Sequence, residues 1–270
     1  MKPKPLTILL SLTFLFLFSG FVYGQEPEVK KEFWGNGKLK KETHSVSGEK
    51  NGLETVWYES GRKREESNFK NGEKDGVSTA WDEEGRKKWE GHYAVGKLDG
   101  PVTRWNENGL KHEVRHYKAG NEAGRTEWYE NGNKSYEDDG NHRSTMWNKN
   151  GKKVQEEYLV DGFNDDIDDG SLRMIVTFFY PSGEKSVEAH VKDGYTKDGP
   201  SRYFYRSGEI MRDEYYKDGK KEGLVKEWYK NGRRKYETTF KGGKENGLRT
   251  EWSEDGRIAP QGTFKDGKEQ

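Results

Sequence analysis

Apolar and polar residues alternate in short runs along most of the chain. In Leu53-Glu54-Thr55-Val56-Trp57 the residues Leu53, Thr55 and Trp57 fall on one face at a period of two, as a strand requires. The same aliphatic–Thr–aromatic series returns as Val77-Thr79-Trp81, Ile175-Thr177-Phe179 and Leu248-Thr250-Trp252. Beyond the first two dozen residues no stretch joins a helical apolar period to capping signals, so the pattern predicts strands and no helix.

Repetition organises this alternation. One glycine recurs at Gly37, Gly61, Gly85, Gly109, Gly132, Gly151, Gly183, Gly208, Gly232 and Gly256, at intervals of 24, 24, 24, 23, 19, 32, 25, 24 and 24. Four residues before each stands an aromatic: Phe33, Trp57, Trp81, Trp105, Trp128, Trp147, Phe179, Phe204, Trp228 and Trp252. Eight residues after it comes a second aromatic, at Phe69, Tyr93, Tyr117, Tyr216, Phe240 and Phe264. A second glycine, at Gly52, Gly76, Gly100, Gly124, Gly199, Gly223 and Gly247, closes most units. Each unit reads as two short strands around the recurring glycine.

The residue before that glycine varies (Ser60, Glu84, Asn108, Ser182, Asp255), and a two-residue type I′ turn would force positive φ on it. A three-residue loop needs a left-handed backbone only at the glycine, and Pro181 suits its first central position. Such an odd loop is expected to set Trp57 and Phe69, Trp81 and Tyr93, and Trp228 and Phe240 on one shared aromatic face. The spacing breaks between Gly132 and Gly183, where Asp161–Gly170 fills the excess. Two stretches of repeats, 25–160 and 171–270, are therefore expected around an acidic irregular insertion at 161–170.

The start of the chain has another character. Lys2 and Lys4, the thirteen-residue apolar run from Leu6 to Phe18 and the small residues near Val22-Tyr23-Gly24 follow the order of a secretory signal peptide over residues 1–24. The apolar run is too short to span a bilayer comfortably, and no second one follows it. An exported protein of the periplasm, envelope or medium is the expectation, with a retained anchor as the alternative. The chain has no cysteine, which excludes disulfides and thiolate metal sites. Without Lys2 and Lys4 the 48 Lys+Arg become 46, against 48 Asp+Glu, a balance that makes no case for nucleic acid or anionic membranes. Charged residues reach 36% and hydrophobic ones only 29%, yet nine Trp, fifteen Tyr and twelve Phe argue against disorder.

Segments such as Trp128-Tyr-Glu-Asn-Gly-Asn-Lys-Ser-Tyr-Glu137, Trp228-Tyr-Lys-Asn-Gly-Arg-Arg-Lys-Tyr-Glu237 and Phe240-Lys-Gly-Gly-Lys-Glu-Asn-Gly247 resemble variants of the MORN repeat. The resemblance runs from about Phe33 to Lys268. It implies an all-β fold: an elongated single-layer antiparallel β-meander of about ten 24-residue hairpins. Bacterial proteins with this variant are often labelled antitoxins of the YwqK family, and MORN arrays are described as protein- or lipid-binding. No single activity is implied.

With strands about 4.8 Å apart, each unit advances roughly 10 Å and ten units make a ribbon on the order of 100 Å. The candidate binding face comprises Trp57, Trp81, Trp105, Trp128, Phe69, Tyr93, Tyr117, Trp228, Phe240 and Trp252, either packed against one another or lining a groove for a partner strand or polymer. The glutamate five residues after the turn glycine (Glu42, Glu66, Glu90, Glu137, Glu156, Glu188, Glu237) reads as a structural partner of nearby Lys and Arg, because one identical carboxylate per repeat is not an acid–base pair. His112 and His116 would lie roughly 13 Å apart on a strand, too far for one metal. In the acidic insertion Ile167 takes a middle ligand position of the calcium-loop pattern. No catalytic residue, cofactor or metal is expected. The leading reading is a non-catalytic scaffold for a protein partner. The alternatives are a binder of envelope glycan and an immunity protein against an exported effector.

Overall fold

Both turns of a repeat form where the backbone needs a left-handed residue. Gly61 N–H donates to the Tyr58 carbonyl and Tyr58 N–H to the Arg62 carbonyl, each at 2.9 Å. Glu59, Ser60 and Gly61 thus make a three-residue loop in which Gly61 alone has positive φ, +93°. The same two bonds close the turns at all ten recurring glycines, and each of these has positive φ. The second turn is of another kind. Lys70 pairs with Glu73, and Asn71 and Gly72 between them have φ of 49° and 82°, a two-residue type I′ turn. Ser47-Gly48, Val95-Gly96, Ala119-Gly120, Asp218-Gly219, Gly242-Gly243 and Asp266-Gly267 repeat it. The closing glycines of the sequence pattern are not turn residues. Gly76, at φ +102°, sits inside a strand where the register shifts.

The computed structural model describes residues 26–160 and 172–270, with the backbone of Thr7–Leu9. The rest of the expected signal peptide and the acidic insertion with its calcium-like pattern lie outside the described residues. Every regular element among the described residues is a strand, and the chain forms two compact units, Met1–Asn133 and Lys134–Gln270.

In the first unit the strands are β1 (Thr7–Leu9), β2 (Glu28–Phe33), β3 (Leu39–Val46), β4 (Glu49–Trp57), β5 (Lys63–Lys70), β6 (Glu73–Trp81), β7 (Lys87–Ala94), β8 (Lys97–Trp105), β9 (Lys111–Lys118) and β10 (Asn121–Trp128). Each pairs antiparallel with the next, an open meander. The second unit holds β11 (Lys134–Asp138), β12 (Arg143–Trp147), β13 (Lys153–Leu159), β14 (Arg173–Phe179), β15 (Lys185–Lys192), β16 (Thr196–Phe204), β17 (Ile210–Lys217), β18 (Lys220–Lys221), β19 (Gly223–Trp228), β20 (Arg234–Lys241), β21 (Lys244–Glu245), β22 (Gly247–Glu251), β23 (Gly262–Lys265) and β24 (Lys268–Glu269). It too is an antiparallel meander, in which β18 and β19 both pair with β17, and β21 and β22 both pair with β20.

One feature of the register overturns the expected shared aromatic face. Trp57 opposes Lys63 but Val56 opposes Glu65, so Arg64 is an extra residue just after the turn. The same one-residue bulge falls at Lys40, Lys88, His112, Val154, Ser186, Met211 and Lys235. One inserted residue reverses the parity of the returning strand. Phe69 accordingly shares a face with Glu54 and Val56, while Trp57 lies on the other with Leu53 and Thr55.

Each face has its own central row of buried and half-buried residues. On the tryptophan side it runs Glu42, Thr55, Glu66, Thr79, Glu90, Thr103, Val114, Thr126 across β3 to β10. On the reverse side it runs Glu54, Ser67, Ser78, Gly91, Val102, Arg115 in the first unit, and the second unit has a row of its own, Val176, Ala189, Ser201, Glu214. Ser78, Ser201 and Thr238 are wholly buried although small, because longer side chains of the flanking rows roof them.

Candidate binding faces

The candidate aromatics divide into two sets. Trp57, Trp81, Trp105 and Trp128 in the first unit, and Trp228 and Trp252 in the second, belong to the ladder face. Phe69, Tyr93, Tyr117 and Phe240 belong to the reverse face. All ten are half-buried.

On the ladder face several of the rings lie under a lysine of the preceding repeat, whereas Trp228 lies under Arg234 of its own hairpin. Lys63 Nζ lies 6.0 Å from the Trp81 ring centre and Lys87 Nζ 5.7 Å from that of Trp105. In the second unit Lys134 serves Trp147, Lys153 Phe179 and Lys185 Phe204, at 5.6 to 6.0 Å. These lysines have a second role, since each ion-pairs with the recurring glutamate three residues on: Lys63 with Glu66, Lys87 with Glu90, Lys134 with Glu137, Lys153 with Glu156 and Lys185 with Glu188. Glu42 pairs with Lys31 and Glu237 with Arg234. The repeating carboxylate therefore fixes the cation that lies over the next aromatic. Beyond the central row the same face exposes aliphatics: Val77 at 36%, Leu224 at 45% and Leu248 at 54%.

The reverse face is built from buried charge. Glu54 takes Lys50 at 2.8 Å, Lys41 at 3.1 Å and the Thr43 hydroxyl at 2.9 Å. Glu113 is clamped by Arg104 and Arg115. Glu214 has no exposed side-chain surface and accepts from Lys221 at 2.6 Å and the Tyr216 hydroxyl at 2.7 Å. Burial pulls the Glu214 carboxyl upward, but the hydrogen bonds from Lys221 and Tyr216 and the charge of Arg212 outweigh it and hold it below the ordinary range. Glu54 and Glu113 sit low by the same balance. Burial and Glu214 in turn push the Tyr216 phenol well up. Lysines cover the aromatics here too, with Lys50 4.4 Å from the Phe69 ring and Lys197 4.7 Å from that of Tyr216. Trp89 also lies on this face, tilted against Tyr93 at 6.2 Å and spread over Gly91, where a Cβ would come within 2.5 Å of its ring.

The residue that follows the ladder aromatic ties one repeat to the next. The Tyr58 hydroxyl donates to the Trp81 carbonyl at 2.8 Å, Tyr180 to Phe204 at 2.6 Å, Tyr205 to Trp228 at 2.7 Å and Tyr229 to Trp252 at 2.7 Å. Trp34 Nε1–H does the same to Trp57 at 3.2 Å. Each is a bond from one repeat to the backbone of the next, and the recurring Trp-Tyr and Phe-Tyr pairs were its sequence signal. At the other end of the strands, Gly72 N–H donates to the Lys50 carbonyl and Gly96 N–H to that of Lys74. Among the described residues no three His, Cys, Asp or Glu side chains are grouped to hold a metal ion.

No curated protein matches the chain. The family model of the MORN repeat variant matches residues 50–71, 197–218 and 221–241. Each of these matches spans two strands and the three-residue turn between them, so the family's unit is the hairpin described above. Hairpin and period make the chain a β-hairpin repeat protein, and its hairpins at residues 50–71, 197–218 and 221–241 are variants of the MORN repeat.

Proposed function

We propose that the protein is an exported, non-catalytic scaffold that holds a protein partner against its ladder face. One observation carries this reading: in each unit half-buried indoles share a face with exposed aliphatics, Val77 in the first and Leu224 and Leu248 in the second, and among the described residues no strand or helix of the unit covers them. Aromatic and aliphatic surface at an open face is what protein recognition uses. The reverse face fits less well, because its aromatics roof a row already buried.

The test uses Trp81→Leu. This change keeps much of the packing but removes the flat surface for a partner strand. Binding to partners captured from the envelope fraction should weaken while thermal stability drops only slightly. Equal binding by variant and native protein, measured below both melting points, would sink the ladder reading. Export has its own check, since protein recovered from envelope or medium should begin near Gln25.

A further inference from the structure

The chain as a whole is neutral, and cations of the second unit such as Lys185, Lys192, Lys221, Arg212 and Arg249 are paired with carboxylates. Three consecutive hairpin tips depart from this. They are Lys217-Asp218-Gly219-Lys220, Lys241-Gly242-Gly243-Lys244 and Lys265-Asp266-Gly267-Lys268. The register sets Lys217 directly opposite Lys220, Lys241 opposite Lys244 and Lys265 opposite Lys268. Like charges in directly opposed positions destabilise a sheet. All six are exposed, and among the described residues none of their ammonium groups meets a carboxylate or a ring.

The fold does not demand these lysines. The same two-residue turns in the first unit are flanked by Val46 and Glu49, Lys70 and Glu73, Ala94 and Lys97, and Lys118 and Asn121. The three tips are also aligned. Gly243 N–H donates to the Lys221 carbonyl and Gly267 N–H to the Glu245 carbonyl, both at 2.9 Å. A Cβ at Gly243 would rest 3.6 Å from the Lys220 Cβ, and one at Gly267 3.8 Å from the Lys244 Cβ. Phe240 occupies the reverse face, so its strand neighbour Lys241 falls on the ladder face, and the equivalent lysines follow it.

The nearby acids are mostly engaged elsewhere. Asp218 pairs with Lys192 at 2.5 Å, and Glu222 accepts from Gly242 N–H at 2.7 Å. Glu245 accepts from the Tyr236 hydroxyl at 2.6 Å, and Glu269 lies against Gly262. Among the described residues only Asp266 and Glu269 stand near the six lysines without a polar partner.

We propose that these tips form a comb of ammonium groups that binds a linear phosphate-bearing polymer. Lysine meets phosphate as a point charge with rotatable donors, and two lysines per step of about 10 Å suit a chain laid across the tips. A flat anionic bilayer fits less well, because Asp213 and Glu237 lie further in on the same face and would have to meet it. The inference does not depend on the partner of the ladder.

Titration of the full chain with long-chain polyphosphate tests it. Binding should be steeply salt-dependent, falling by about a thousandfold between roughly 50 and 200 mM salt if all six groups engage. Replacing all six lysines by Gln should weaken binding by about tenfold or more, with no loss of melting temperature because opposed charges are removed. Replacing them by Arg should preserve binding. If the sixfold Gln variant does not fold, K241Q/K244Q should show a smaller loss of the same sign. Undiminished binding by a folded Gln variant, or no binding of polyphosphate at low salt, would overturn the proposal. Binding to phosphatidylglycerol vesicles with none to polyphosphate would overturn it in favour of a bilayer.

Discussion

Val95 is a β-branched residue at φ +47°, 69% exposed at the tip of a type I′ turn where the repeats elsewhere place Asn71, Asp218 or Gly242. The left-handed region is strained for such a side chain and tolerable for Asn. Val95→Asn should therefore stabilise the protein by about 1 kcal/mol, seen as a raised melting temperature. A fall would mean that the Val95 side chain makes a contact worth more than the strain. The buried glutamates make stability depend on pH. The carboxyls of Glu54, Glu113 and Glu214 sit below their unfolded values, so the stability they contribute is whole above the unfolded glutamate range, near about 4.3. It is lost as pH falls through their folded values. Melting temperatures should accordingly drop steeply below about pH 4.3, and Glu214→Gln should flatten the acid limb while lowering stability at pH 7. An unchanged acid limb in that variant would show that Glu214 is not among the responsible groups.

At the scale of the hairpin, neighbouring repeats are joined by bonds that cross the period. Tyr229→Phe removes only the donor to the Trp252 carbonyl and should cost about 0.5–1.5 kcal/mol, whereas the first unit offers a natural control. There the positions equivalent to Tyr229 in two repeats are Asp82 and Asn106, which turn back instead: Asp82 takes the Arg86 side chain at 2.7 Å and Asn106 the Leu110 amide at 3.0 Å. Changing Asp82 to Tyr should be tolerated and add an inter-repeat bond to Trp105. Urea midpoints of the two variants would decide both points.

Much of this element was legible in the sequence, because the 24-residue recurrence and the varied residue before each glycine point to a loop with one left-handed position. The face assignment was not legible. Arg64 and its counterparts are polar or aliphatic by turns and carry no composition signal, yet one extra residue reverses the parity of everything after it. A signal did exist in Ser67 and Ser78, whose small size at the centre of β5 and β6 marks the roofed row. The second turn is hard to read for a related reason: Asn71-Gly72 is a plain hairpin signature, but Val95-Gly96 and Ala119-Gly120 at the same place are not.

Across the whole molecule the unusual quantity is how little apolar surface the buried rows contain. Among the described residues the buried hydrophobics are Val102, Val114, Val176, Ala189, Val191 and Val225, against eleven buried polar or charged residues that include Ser67, Ser78, Thr177, Glu214 and Thr238. Three of these, Ser78, Ser201 and Thr238, bury a hydroxyl with no hydrogen-bond partner. The sheet is held less by a greasy interior than by ladder bonds, cations over rings and ion pairs fixed within each repeat. Heat capacity separates these two modes of stabilisation. Exposing apolar surface on unfolding raises it and exposing polar surface lowers it, and ordinary domains gain about 12–15 cal/mol/K per residue. Calorimetry should therefore return a distinctly smaller value per residue here, and with it a flatter stability curve around its maximum. The same composition predicts the sign at one position: Thr238→Val removes an unpartnered hydroxyl while keeping the branched shape, and should be neutral or stabilising. An ordinary heat-capacity change together with a destabilised Thr238→Val protein would show that the hydroxyl row is hydrated and part of a larger core.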